Sequence, residues 1–516
     1  MKLKQQSLVS QGSLSRMLQA AEQAWQRKDF QQNIEILERA HRLAPANTSI
    51  LMQLGRVMGL RYNYAAAGQY FDRAIRLAPK KTEAMAIAGQ ASLDFASHQL
   101  AEHYFEQALE QKDARPETFA RSAELYERLH RMEDATRLVE RALQLDGACP
   151  LALLVHARLD RQAGRLEEAE RLLRTFPASA DRETRIRSYY ELGTVLDRQK
   201  RYDEAMAAFL EAKGLLATDA PPLLTQWRAI RAYWKELQAN ISAETLKRWH
   251  DFGAALQPAH RIAFLGGYPR SGTTLLEQVL DSHPDIVSAE ETSIFHDGAY
   301  MPLARNLPPG SPMLSILESA QGDALQRSRE NYYSTVALHL GQPFGNRLLI
   351  DKNPSVNFLI PAFIRVFPET KLLVALRDPR DVCLSCFMQA HLPLSTGSVA
   401  YLSLENTGEA YAGVMGLWRT LAPLIANPYL EVRYEDVVED LEKVARGTLD
   451  FLGVAWDDRV LHFDEHARNK MVRSPTYADV AQPVFKRAKG RWLNYRKYFE
   501  PHLDKLMPFI KAFGYE

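Results

Sequence analysis

The segment Gly267-Tyr268-Pro269-Arg270-Ser271-Gly272-Thr273-Thr274-Leu275 holds the residues of this chain best suited to bind an anion. It follows an apolar run, Ile262 to Leu265, and leads into Leu275-Leu276-Glu277-Gln278-Val279-Leu280, which has helical character. In a strand–loop–helix of this kind the loop amides and the first helical turn point at a bound phosphate, and the helix dipole favours negative charge there. The Gly-x-x-x-x-Gly spacing fits a nucleotide phosphate loop (P-loop), but Thr273 stands where a triphosphate loop carries lysine. The nearest cation is Arg270, inside the loop itself.

Three further groups could work with that loop. Arg377 ends the apolar run Leu372–Leu376, and Ser385 lies in the helical stretch that follows. An arginine at a strand end and a hydroxyl early in the next helix can jointly hold a second phosphate. The alternative is that Arg377 pairs with Asp378 or Asp381 as a strand-end ion pair. Lys352, in Asp351-Lys352-Asn353-Pro354, directly follows the strand-like Leu348–Ile350. Glu290 and Glu291 follow a short strand-like run, Ile286–Ser288, and His283 precedes a proline at a helix end, where a structural role is expected. Cys383 and Cys386 have a redox spacing, yet they lie in an apolar helical run, which predicts packing.

In combination and order these residues resemble the PAPS-dependent sulfotransferases, which transfer a sulfuryl group from 3′-phosphoadenosine 5′-phosphosulfate (PAPS). Within that family they look most like the tyrosylprotein sulfotransferase branch. The loop is similar to Tyr-Pro-[Lys/Arg]-Ser-Gly-Thr-Thr, and His283-Pro284 followed by Glu290-Glu291-Thr292 is similar to that branch's next signature. Arg433-Tyr434-Glu435-Asp436, Phe451–Trp456, Val472-Arg473-Ser474 and Lys489-Gly490-Arg491-Trp492 extend the resemblance over residues 260–516. It implies PAPS as donor, with Arg270, Ser271, Gly272, Thr273 and Thr274 on the 5′-phosphosulfate and Arg377 with Ser385 on the 3′-phosphate. Tyr434, Ser474 and the basic run Lys486–Arg491 are further candidates for donor contact. The resemblance also implies Glu291 as general base toward an acceptor hydroxyl, Lys352 and Arg270 as cations at the transferring group, and no metal. Two departures weaken a tyrosine-specific reading: Ser293 stands where that branch has arginine after Glu-Glu-Thr, and no membrane anchor is seen. The acceptor is therefore left open among protein tyrosine, glycan and small molecule. The competing readings are an ATP-dependent P-loop kinase and a scaffold with an inactive nucleotide-binding domain.

These groups need elements to place them. After residue 260, short apolar runs at Ile262–Leu265, Leu348–Ile350, Lys371–Leu376 and Tyr429–Val432 alternate with helical stretches, which predicts an α/β domain with a central parallel sheet. Ligands of such sheets sit at the carboxyl ends of the strands. From residue 14 to 216 the pattern is different. Gly55, Ala67, Phe71 and Ala74 recur as Gly89, Ala101, Phe105 and Ala108, about 34 residues further on, and again as Gly193, Ala205, Phe209 and Ala212. Small residues at fixed offsets let two helices approach, and the aromatic fills the gap between units. The pattern resembles the tetratricopeptide repeat (TPR), with about six copies. It implies an α-solenoid, a superhelix whose groove takes a protein or peptide partner. Residues 217–258, with Trp227, Trp234, Trp249 and Phe252, read as a helical linker that packs between the halves, leaving 259–516 as the sulfotransferase-like domain. A repeat array joined to such a domain resembles a bacterial group.

The composition is that of an ordinary globular protein, 46% hydrophobic and 25% charged over 516 residues. A net charge of +1 argues against nucleic acid as a partner, and no apolar run reaches the ~18 residues needed for a membrane span. The first residues lack a signal-peptide core, and three cysteines, Cys149, Cys383 and Cys386, build no disulfide framework, so a cytoplasmic location is expected.

Overall fold

The computed structural model describes residues 2–26, 29–308, 310–468, 480–482, 484 and 488–516. The chain forms two compact units, Met1–Leu159 and Asp160–Glu516. In the first, helices pack in successive pairs: Lys2–Gln26 with Phe30–Leu43, Thr48–Leu60 with Tyr64–Leu77, Lys81–Asp94 with His98–Leu109, and Pro116–Arg128 with Met132–Leu145. The repeated glycine explains the pairing. A Cβ on Gly89 would fall 2.8 Å from the Phe105 ring, and the Phe71 ring crowds Gly55 in the same way. Phe71 also stacks on Phe95 of the next pair, with ring centroids 6.4 Å apart, so one aromatic serves both the pair and its neighbour. Helix starts are capped where the sequence offers an amide side chain: Asn47 accepts from the Ile50 N–H and Asn63 from the Ala66 N–H.

The second unit begins with helices of the same kind. Arg182–Arg198 and Tyr202–Leu216 pair as before, with Gly193 facing Phe209. Helices Ala220–Asn240 and Ala243–Gly253 follow. Their tryptophans Trp227, Trp234 and Trp249 are buried, whereas Phe252 is half exposed. Trp234 stacks on Phe358, 5.6 Å between centroids.

The sheet has five parallel strands: β1 (Ile262–Gly267), β2 (Ile286–Ser288), β3 (Leu348–Lys352), β4 (Lys371–Leu376) and β5 (Tyr429–Arg433), in the order β2-β3-β1-β4-β5. β1 and β3 are buried along their whole length, which is why they read as continuous apolar runs, while the edge strand β5 is mostly accessible. Ala263, Leu265, Ile350 and Leu373 join Leu276, Val279 and Leu280 of the following helix in one core. Leu265 of β1 lies level with Lys352 on one side and Leu373 on the other. The loop after β1, Lys352 at the end of β3 and Arg377 just beyond β4 therefore share the carboxyl edge of the sheet. Among the described residues no helix is long and apolar enough to cross a membrane.

The repeat-like helices of this unit are tied to its carboxyl-terminal part. Asp197 accepts from Arg491 (2.7 Å) and from the Tyr495 hydroxyl (2.6 Å), and Lys497 donates to Asp203 at 2.8 Å. The buried Lys213 amine donates to the Tyr401 carbonyl at 2.6 Å.

Candidate active site

The loop after β1 turns on two glycines. Gly267 has φ of 135°, and a Cβ there would lie 2.5 Å from the Ala375 carbonyl oxygen of β4. Gly272 has φ of 96° and is covered by the Tyr434 ring, 2.7 Å from where a Cβ would be. Arg270 also sits in the left-handed region, φ 74°, a conformation kept only when surrounding contacts hold it. Asn357 braces the start of the loop by accepting the Gly267 N–H at 2.9 Å. The helix Thr273–Asp281 then begins, with Gly272 as its first cap. Ser271, Thr273 and Thr274 are buried, and the Ser271 hydroxyl has no hydrogen-bond partner among the described residues.

Arg270, Ser385 and Arg377 come together beside this loop. Arg270 Nε donates to Ser385 Oγ at 2.9 Å. Arg377 donates through Nη1 to the Arg270 carbonyl (3.0 Å) and through Nη2 to the Ala488 carbonyl (2.6 Å), while its buried Nε has no hydrogen-bond partner among the described residues. Its guanidinium carbon lies 4.9 Å from the centroid of the Tyr434 ring. The strand-end ion pair is not formed. Asp378 is taken by Arg380 at 2.7 Å, and Asp381 accepts from the Gly490 and Trp492 N–H groups at 2.7 and 2.8 Å. Those two bonds dock the 488–492 segment against the helix that carries Ser385. Cys386 donates to the Pro269 carbonyl at 3.3 Å, and burial pushes its thiol up to about 12; Cys383 is also buried, so both cysteines pack.

On the other side of β1, Lys352 Nζ lies 2.6 Å from Glu291 and 3.1 Å from Glu277. Burial alone would lower the lysine, but the two carboxylates outweigh it and hold the amine above its ordinary range. Glu277 is 1% exposed, whereas the Glu291 side chain is 31% exposed at the mouth of the site. Ser288 donates from its hydroxyl to Glu277. Asp351 accepts from the Tyr332 hydroxyl at 2.7 Å, yet burial pushes it up to about 7. Glu290 takes a left-handed φ of 52°, and Ser288 Oγ accepts its N–H at 3.0 Å. His283 is structural: its Nδ1 accepts from the Asp285 N–H at 3.0 Å, which leaves Nε2 to donate to the Ala455 carbonyl at 2.9 Å.

The structure thus brings Arg270, Ser271, Gly272, Thr273, Thr274, Arg377, Ser385 and Tyr434 to one side of the loop and Lys352 with Glu291 to the other. Ser474 and, within the basic run, Lys486 and Arg487 lie outside the described residues. Sequence reading missed Glu277 and Asn357, and it gave Asp381 only as a possible partner of Arg377, not as the acceptor of the Gly490 and Trp492 N–H groups. A charge inside the apolar run Leu275–Leu280 was the one signal for Glu277. The chemistry on offer is anion binding in an amide cradle, charge stabilisation by fixed cations, and proton acceptance by an ionised carboxylate.

Comparison with known proteins fits that chemistry. A model described as the sulfotransferase family matches residues 263–458, and a tetratricopeptide-repeat model matches residues 186–215. An uncharacterised protein of Aquifex aeolicus is 25% identical over 344 residues, covering 64% of this chain and 42% of its own length. Protein-tyrosine sulfotransferase 1 of Danio rerio is 26% identical over 271 residues, 49% of this chain and 72% of its own. A solved sulfotransferase domain from the Synechococcus PCC 7002 olefin synthase aligns with 50% of this chain and 97% of its own at 23% identity and a TM-score of 0.37. Residues 263–458 are a sulfotransferase-family domain built on a five-stranded parallel sheet, and it follows a mostly helical amino-terminal half that includes a tetratricopeptide repeat at 186–215.

Proposed function

We propose that the protein takes a sulfuryl group from PAPS and places it on a hydroxyl acceptor, and that its helical repeats recruit the acceptor or another protein partner. Two orphaned polar atoms on the rim of one glycine-built cradle carry this reading: the Ser271 hydroxyl and Arg377 Nε, both buried and without a hydrogen-bond partner among the described residues. A buried polar group left unpaired costs about 1–3 kcal/mol, so both are reasons to look for a ligand with two separate anionic groups. PAPS has a 5′-phosphosulfate and a 3′-phosphate, which suits the pair; ADP and ATP have no 3′-phosphate. Loop amides with Ser271, Thr273 and Thr274 would hold the first group, and Arg377 with Ser385 the second.

Bound in this way, the donor supplies an electrophilic sulfur. Glu291, paired with Lys352, accepts the proton of the acceptor hydroxyl as its oxygen bonds to sulfur and the S–O bond to the phosphate breaks. Lys352 and Arg270 offset the charge that grows on the departing phosphate oxygen. Lys352 has to exchange its bond to Glu291 for that oxygen, which frees the carboxylate at the moment it is needed. Calorimetric titration of the full chain with PAP, the desulfated product, and with ADP tests the proposal. Tight PAP binding with weak ADP binding is expected. The reverse order favours a kinase, and no binding of either favours a scaffold.

A further inference from the structure

We propose that Glu277 is a positioning residue that keeps Lys352 charged and in place when Glu291 releases it. The inference rests on the sulfotransferase reading above and adds to it a residue outside the reacting groups. Lys352 is 1% exposed and has two carboxylate neighbours that differ in kind. Glu291 is partly open to solvent and, in the proposed reaction, turns toward the acceptor. Glu277 is closed off, its second oxygen held by Ser288, and it lies on the helix Thr273–Asp281 whose first turn forms the anion cradle. One helix therefore presents amides to the donor at its start and a fixed counter-ion to Lys352 one turn later.

A buried lysine that loses its only partner sheds its proton. The other acidic group at hand is Asp351, next to Lys352 on β3. It is engaged by Tyr332 and pushed up to about 7 by burial, which makes it a poor substitute anion near neutral pH. Among the described residues, Glu277 and Glu291 are the acidic groups paired with Lys352, while Asp351, its neighbour on β3, turns to the opposite face of the strand. Of these groups Glu277 alone is both paired with the amine and withdrawn from solvent.

The test follows PAPS affinity against pH in the full-length protein, by calorimetry from about pH 6.5 to 10, the range in which a lysine with an altered environment titrates. In the wild type the affinity should stay level until high pH. In Glu277→Gln the amide keeps the shape but removes the charge, burial then dominates Lys352, and the fall should begin about one to three pH units lower. Turnover in the same variant should drop about 10- to 100-fold. Ser288→Ala, which loosens Glu277 without removing it, should shift the curve in the same direction by less, and it decides the matter if Glu277→Gln fails to fold. Wild-type pH curves in the folded variants overturn the inference alone. Failure of the wild type to bind PAPS overturns the sulfotransferase reading, and this inference with it.

Discussion

Arg377 and Lys352 flank the loop from the strands on either side of β1, and they are balanced in opposite ways. Arg377 donates to two neutral backbone carbonyls and keeps a buried N–H unmatched among the described residues, whereas Lys352 is matched by two carboxylates. The difference separates binding from turnover. A cation hydrogen-bonded to carbonyls, with no carboxylate in direct contact, gains most from an anionic ligand, so Arg377 should govern affinity. A cation already paired with the base must change partners for the reaction to proceed, so near neutral pH Lys352 and Glu291 should govern rate, and Lys352 should weaken donor binding only at the high pH where it loses its charge.

The largest expected effect lies on the lysine side. Glu291→Gln retains shape and removes proton acceptance, so turnover should fall by about 10²–10⁴ while PAP affinity stays nearly unchanged. A loss of PAP affinity as large as the loss of rate would erase the distinction between the two sides. If Glu290→Gln gives the rate loss instead, the base is the neighbour.

A second expectation concerns what the site stands on. Change of periodicity suggested a cut near residue 255, but Asp197, Asp203 and Lys213 bond to residues beyond that point. A fragment 160–516 should fold and bind PAP like the full chain. A fragment 255–516 leaves those contacts unmade and uncovers what the missing helices pack on, including Phe358 under Trp234 and Arg365 beside Trp249. Its melting midpoint should fall by roughly 2–4 °C for each kcal/mol lost, as read by circular dichroism. Equal midpoints would show that the repeat-like helices do not brace the site. If 160–516 handles a large natural acceptor as well as the full chain does, the first unit is not a recruiting arm.

The smallest effect is expected at Ser385. Its hydroxyl meets Arg270, not Arg377, in this structure, so Ser385→Ala removes one hydrogen bond from the cradle. PAP affinity should fall up to about tenfold, in keeping with ~0.5–1.5 kcal/mol for such a bond. A loss as large as that of an arginine would promote Ser385 to a principal contact.

Much of this arrangement was legible before the structure. The strands at Ile262, Leu348 and Lys371 announced themselves because buried parallel strands are largely apolar runs, and the accessible edge strand at Tyr429 showed as a shorter, mixed one. The glycine-bounded loop and its following helix were equally plain, since only a few residue types suit that turn. Arg377 and Lys352 could be placed because each stands at the end of such a run. What stayed hidden depends on side chains distant in sequence. Glu277 looks like a solvated charge on a helix until Lys352 arrives from β3 beside it. Asn357 holds Gly267, and Asp381 holds Gly490 and Trp492, by bonds that no local pattern encodes. The repeat period ends near 216, yet the chain from 160 onward belongs to the same compact unit as the sheet, because periodicity records local pairing and not which unit a pair joins.

The most direct test of the contrast between the two cations is calorimetry of wild type and Arg377→Ala with PAP and with AMP, which differ by the 3′-phosphate. Loss of a charge-assisted contact costs about 1.5–3 kcal/mol, so PAP binding should weaken roughly 10- to 100-fold while AMP binding is little changed. Equal weakening of both ligands would contradict the assignment of Arg377 to a second phosphate, and with it the account of how this site selects its donor.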